Sequence, residues 1–298
     1  ATLVCEDPLF RTQEMILKRA LFQDTLGDDT IFEPWIDEWA VYKMPPHGRW
    51  GVPMSTIASH MAGGAWKFDP PLKELSDIDK LIRPHHAIDE AATAEKTQRL
   101  RDAVGDIITV KSVRAPYYRS FRGDISTDLA YLRGLEVMME DMYDNPEWLH
   151  RLLAFMRDAL LAMLTAGEEQ GDWRLSDGNN QAMPYAEELP DPGAHDEPVT
   201  CKQLWGFYAS QETTLVSPAM FEACMFNYQL PLMEKFGLTA YGCCEDLSRK
   251  IPILRTCTTL RRIAVTPVAD IRACAEAIGT DYVISWRPNP STQVCNGW

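Results

Sequence analysis

The residues best equipped for chemistry in this chain of 298 residues are Tyr241-Gly242-Cys243-Cys244-Glu245, where the apolar run Leu238-Thr239-Ala240 ends in two adjacent thiols and a carboxylate. Thiolate and carboxylate together make a part-set of zinc ligands, and a bound zinc ion stabilises the deprotonated form of a substrate thiol. Cys295, farther along, can add another thiolate. The competing reading is that Cys243 and Cys244 are simply small buried residues, as free cysteines commonly are. The paired CxxC spacing of a zinc finger is absent.

A second set of candidates comes from the ends of apparent strands. Ser176-Asp177-Gly178 puts a carboxylate where a strand breaks into a turn, which makes Asp177 the leading general acid or base, and Glu38 is a second catalytic candidate. Asp177 has an equally ordinary role as a turn-closing side chain. Other polar strand ends are Asp37, Lys111, Arg114, Asn179, Asn180, Tyr208, Gln211, Thr266, Trp286, Arg287 and Asn289. Of these, Asn179, Tyr208, Gln211, Trp286 and Arg287 are expected to contact a small-molecule substrate. His60 and the His85-His86 pair lie far from the cysteines in sequence and read as solvated loop residues.

The elements that must position these residues alternate. Strands are expected at 30–37, 106–112, 172–176, 203–208, 238–242, 261–266 and 281–286. Helices are expected at 8–22, 87–104, 128–143, 146–170, 217–236, 247–257 and 270–278. Asn145-Pro146 and Ser217-Pro218 each give a helix start with proline in the first turn. The segment 43–79, rich in Pro, Gly, His and Met, reads as a long loop. Alternation of this kind implies a parallel sheet with crossover helices, either a TIM barrel or an open doubly wound sheet. No GxGxxG or GxxxxGK[ST] loop follows any strand. A single α/β domain over 1–298, of TIM (β/α)8 type, is therefore expected. Seven strands are one short of closure, so the polypeptide is expected to extend past Trp298.

A net charge of −14 argues against a nucleic-acid groove. No apolar stretch approaches the ~20 residues that span a bilayer. Eight scattered cysteines suit reduced thiols, and the expectation is a soluble cytoplasmic protein with no nucleic-acid or membrane partner.

From 131 to 290 the chain resembles the uroporphyrinogen decarboxylase superfamily, which includes zinc-dependent cobalamin methyltransferases. The resemblance rests on Tyr143-Asp144-Asn145-Pro146-Glu147-Trp148-Leu149-His150, on Ala209-Ser210 through Ser217-Pro218-Ala219-Met220-Phe221, on Tyr241-Gly242-Cys243-Cys244 and on Asp281-Tyr282-Val283-Ile284-Ser285. It implies a TIM barrel. It also implies methyl transfer assisted by zinc, with cobalamin carried by a corrinoid protein as the partner. Cys243 matches the cysteine of the family's His-x-Cys-Gly motif, Tyr241 stands at the histidine, and Arg287-Pro288 stands where a second cysteine ligand would follow. Cys244, Glu245 and Cys295 would then complete a different metal site. Two alternatives stay open: a metal-independent decarboxylase with Asp177 as proton carrier and Arg114 or Arg287 holding carboxylates, and a non-catalytic binding barrel.

Overall fold

The computed structural model describes residues 2–61, 63–178, 185–191, 196–293 and 295. The architecture is mixed α/β. Strands β1 (Trp35–Trp39) and β4 (Thr109–Val113) pair in parallel, with Asp37 opposite Lys111. Strands β5 (Trp205–Tyr208), β6 (Leu238–Tyr241), β7 (Leu260–Val265) and β8 (Val283–Trp286) form a second parallel sheet in sequence order. Across it, Phe207 pairs with Ala240, Ala240 with Arg262 and Arg262 with Val283, so these four share one face.

Helices follow the strands and cover the opposite face. Helix α1 (Pro8–Asp24) starts where the Asp7 carboxylate accepts the Leu9 amide at 3.0 Å, ahead of Pro8. Helix α2 (Glu90–Val104) is capped by Asp89. Helices α3 (Ser126–Arg133) and α4 (Leu135–Asp144) divide the predicted 128–143 helix at Gly134, whose φ of 88° suits glycine. Helix α5 (Pro146–Glu169) buries Leu149, Leu152, Leu153, Met156, Leu160, Met163 and Leu164, the spacing of one helical face. This stripe joins Tyr208, Phe236, Tyr241, Ile263 and the helix around Phe221 in the main core. Helices α6 (Pro218–Phe221) and α7 (Asn227–Met233) continue through a π-type turn at Glu222–Phe226. Helices α8 (Ile251–Leu254), α9 (Ile271–Ile278) and α10 (Pro290–Gln293) complete the order.

Three expectations need correction. The strand predicted at 172–176 is replaced by a 3-10 turn, Leu175–Gly178. The Asp177 carboxylate accepts the Arg174 amide at 2.7 Å while the Asp177 amide donates to the Arg174 carbonyl, and this local closure outcompetes sheet pairing. The loop at 43–79 carries an antiparallel hairpin, β2 (Ser55–Ala58) with β3 (Trp66–Asp69). The helix expected over 247–257 contracts to α8, with Pro252 in its first turn. Among the described residues no helix is long and apolar enough to cross a membrane.

Candidate functional site

Alternation along β1 decides which of its acids can do chemistry. Ile36 and Glu38 face outward. Ile36 packs with Leu100 of α2 and Val110. The buried Glu38 carboxylate accepts from Gln13 Nε2 at 3.0 Å and pairs with Lys96, so it clamps α1 and α2 to the sheet. Trp35, Asp37 and Trp39 take the other face. There the Lys111 ammonium lies 3.6 Å from the Trp35 ring centroid, and Asp37 opens into a cleft of about 350 Å³.

This cleft sits beyond the C-terminal ends of β1 and β4. Asp37, Trp39, Val113, Ser176 and Asp177 line it together with the segment from Arg119 to Arg122. Arg119 is fixed by donating to the carbonyls of Ala115 at 2.8 Å and Pro116 at 2.9 Å. Its guanidinium carbon lies 4.4 Å from the Trp39 ring centroid, and that of Arg122 lies 5.5 Å from the same ring and 4.4 Å from Tyr117. Such stacking orients both guanidiniums while leaving edge N–H groups for an anion. The backbone is strained within this segment and again just after it: Ser120 has φ 51° and the buried, β-branched Ile125 has φ 69°.

The electrostatics set the two cleft carboxyls apart from ordinary surface acids. Burial pushes the Asp177 carboxyl up to about 6; Arg119 and the Arg174 amide oppose this, and the Asp37 charge adds to it. Asp37 is exposed to the cleft, yet partial loss of water to the surrounding walls raises its carboxyl too, against the pull of Lys111 and Arg119. Two carboxyls and two arginines in one cleft, one acid titrating near neutrality, can bind an anion and transfer a proton to it.

A separate buried polar network links helix α3 to the turn after β5. Asp128 accepts from Trp50 Nε1 at 2.6 Å and pairs with Arg49 at 2.8 Å, yet burial outweighs Arg49 and lifts its carboxyl to about 6. Asp124 is raised well above the usual carboxylate range by burial and by Glu212. Ser126 donates to Glu212. The Ser210 hydroxyl lies 2.5 Å from that of Thr213.

The thiol cluster takes a form its sequence does not announce. Cys243 and Cys244 are unbridged, with sulfurs 3.5 Å apart; Cys243 is half-buried and Cys244 exposed. Burial pushes the Cys243 thiol up to about 11, Cys244 adding to the rise and Arg287 opposing it. The fully buried Glu245 accepts the Ser210 amide on Oε1 and the Cys243 amide on Oε2, both at 2.8 Å. It therefore ties the ends of β5 and β6 together. Lys250, whose ammonium burial lowers to about 8 with Glu245 opposing, donates to the Thr213 carbonyl at 2.8 Å. As a test of zinc, the pair of thiols supplies two adjacent donors while Glu245 spends an oxygen on each amide. Among the described residues no group of three or more His, Cys, Asp or Glu side chains is placed to hold a metal ion. The donor set is thus short of a zinc site.

The other predicted residues are spread out. Tyr208 faces the helices and is buried against Phe236. Gln211 is half-buried in a 3-10 turn, its amide 3.4 Å from Glu212. Trp286 ends β8 partly exposed, and the Arg287 guanidinium donates to the Cys243 carbonyl. Cys295 is exposed. Asn179 and Asn180 lie outside the described residues. Arg114 is engaged by Asp172, at 2.6 Å, and by Glu90, and His86 completes that cluster at 2.8 Å from Asp172. Asp37 is the acid that lines the cleft beside Asp177. Arg119, Arg122 and Trp39 line it as well; their signals in sequence are the period of two in β1 and the Arg119-Ser120-Phe121-Arg122 spacing. No family model matches the chain, and no curated protein matches it significantly.

Proposed function

We propose that the chain is a metal-independent lyase, decarboxylation foremost, acting on a small molecule with more than one carboxylate. One observation carries this reading: Asp177, held near a pKa of 6, shares a cleft with Asp37, Arg119 and Arg122. We read the two parallel sheets as arcs of a (β/α)8-type barrel, with the cleft at the strand ends where such folds place their chemistry. Arg119 and Arg122 hold the carboxylates that the product keeps. An arginine would hold back a departing carboxylate, so the leaving group faces Phe121 and Val113, away from the Trp39 ring on which both guanidiniums stack, where losing water destabilises its charge. Its C–C bond breaks, the electron pair stays on carbon as CO2 departs, and protonated Asp177 returns a proton to that carbon. Asp37 keeps the Asp177 proton in place by like-charge repulsion.

The test is CO2 release from a panel of polycarboxylates, uroporphyrinogen included. Turnover that survives Cys243→Ser and falls by at least about a hundredfold in Asp177→Asn supports the reading; turnover indifferent to Asp177→Asn overturns it.

The thiol pair supports a second reading, methyl transfer with a corrinoid protein, in which Cys243 and Cys244 give two of the donors zinc requires. Metal content of protein never exposed to chelator decides: zinc near one equivalent, lost in Cys243→Ser, favours this reading, and below about a tenth of an equivalent it fails.

A further inference from the structure

A second cavity, of about 300 Å³, opens at the other ends of the strands. Trp205 begins β5, Arg261 and Arg262 stand near the start of β7, and Val283 begins β8; the remaining wall is the loop from Tyr185 to Glu188. Arg262 and Trp205 are each only 8% exposed. Among the described residues, Arg262 Nη1 and Trp205 Nε1 are buried donors with no hydrogen-bond partner. Leaving one such donor unsatisfied costs about 1–3 kcal/mol, and more for a charged group, so two in one cavity indicate a missing acceptor.

The missing acceptor is anionic. Among the described residues the Arg262 guanidinium reaches only the Ser285 hydroxyl, and Arg287 reaches the Cys243 carbonyl. Neither has a carboxylate within ion-pair distance among the described residues. Arg261, by contrast, is neutralised by Glu188 at 2.9 Å, and Glu187 stands exposed on the loop. Burial lowers Arg262 to about 10, with the like charge of Arg287 adding, which is the electrostatic signature of a cation lacking its counter-charge.

We propose that this cavity binds a small carboxylate with a compact apolar body, its oxygens accepting from Arg262 Nη1 and Trp205 Nε1. The guanidinium fork and the indole N–H supply the donors. The Trp205 ring, Tyr185, Ala186 and Val283 supply an apolar wall. The volume suits a ligand of benzoate size. The site is separate from the cleft that holds Asp177, and it stands whether or not the lyase reading does.

Benzoate is the probe, and the indole N–H resonance of Trp205 in the full chain, assigned by its disappearance in Trp205→Phe, is the readout. Benzoate is expected to shift that resonance saturably with a dissociation constant of about 1 mM or tighter. Its neutral analogue benzamide is expected to bind at least about tenfold more weakly. Arg262→Met should weaken benzoate binding by at least about tenfold, and Arg262→Lys, which keeps the charge and loses the fork, by several-fold. Arg122→Gln, in the other cleft, should leave it unchanged. The proposal is overturned if benzoate does not move the Trp205 resonance of the folded protein, if benzamide does so equally, or if a folded Arg262 variant binds unchanged. A shift that disappears in Arg122→Gln would place the anion in the first cleft and overturn it as well.

Discussion

At the scale of single residues, the proposed chemistry turns on which carboxyl holds a proton near neutrality. Asp177 does so because burial outweighs Arg119 and the Arg174 amide, and its role as donor requires the protonated form. The kcat/KM of the active protein should therefore fall as the pH rises through about 6, and Asp177→Asn should remove that limb along with most of the rate. A profile that keeps its limb in Asp177→Asn assigns the titration elsewhere. Among the described residues the Arg122 guanidinium has no hydrogen-bond partner and stacks on Trp39 and Tyr117, so Arg122→Gln should raise KM by about tenfold or more with a smaller change in kcat. Glu245 differs in kind. Its two oxygens answer the buried Ser210 amide and the half-buried Cys243 amide, so Glu245→Gln turns an NH2 donor toward an N–H donor. That change should cost about 2 kcal/mol in urea unfolding and speed the labelling of Cys243, which in the native protein should react far more slowly than Cys244.

At the scale of elements, adjacent residues on one strand have opposite fates. Asp37 opens into the cleft; Glu38 pins α1 through Gln13 and α2 through Lys96. Asp37→Asn should cut turnover at least about tenfold without loss of stability, whereas Glu38→Gln should destabilise the fold by about 1–3 kcal/mol with kcat retained. Equal losses of activity in both would remove the distinction. This pair also shows what the sequence made legible. The strands β1, β4, β5, β6, β7 and β8 announce themselves through short β-branched and aromatic runs, and their parallel order follows from intervening helices. Which face of β1 turns inward does not, because Trp35, Asp37 and Trp39 alternate with residues that are also partly polar, and only the packing of Ile36 on Leu100 settles it. The thiols at the end of β6 were legible as a cluster. That Glu245 serves backbone amides was not, since the Ser210 amide it binds is 35 positions away. The turn at Leu175–Gly178 escaped because Trp173-Arg174-Leu175 carries a strand-like composition, while the Asp177 side chain supplies the local hydrogen bond that wins.

At the scale of the whole molecule, several buried carboxyls bias stability toward acid. Burial raises Asp177 and Asp128 to about 6 each, from 3.8, and Asp124 in the same direction. A carboxyl with a raised folded pKa binds its proton more tightly in the native state. Its stabilisation is therefore complete below 3.8 and is lost as the pH climbs through about 6. On the acid side, Glu14 and Asp77 are held near 2, Glu14 mainly by Lys18 and Asp77 mainly by the Glu74 amide, and their contribution is lost as the pH falls toward 2. The opposing slopes place the stability maximum near pH ~4, where the two sets of groups change over, and the −14 net charge at pH 7 pushes the same way through self-repulsion. Urea midpoints measured upward from about pH 4.5 should decline until these groups have ionised, at about pH 7. Asp177→Asn, which never ionises, should flatten the decline and stabilise the protein at neutral pH by on the order of 1–2 kcal/mol, the cleft's access to solvent reducing the full value. An inactive variant more stable than its parent is the mark of a carboxyl kept for chemistry at the expense of the fold. Identical pH slopes in the two proteins would show that Asp177 titrates as an ordinary surface acid, and would remove the physical basis for its role as a proton donor.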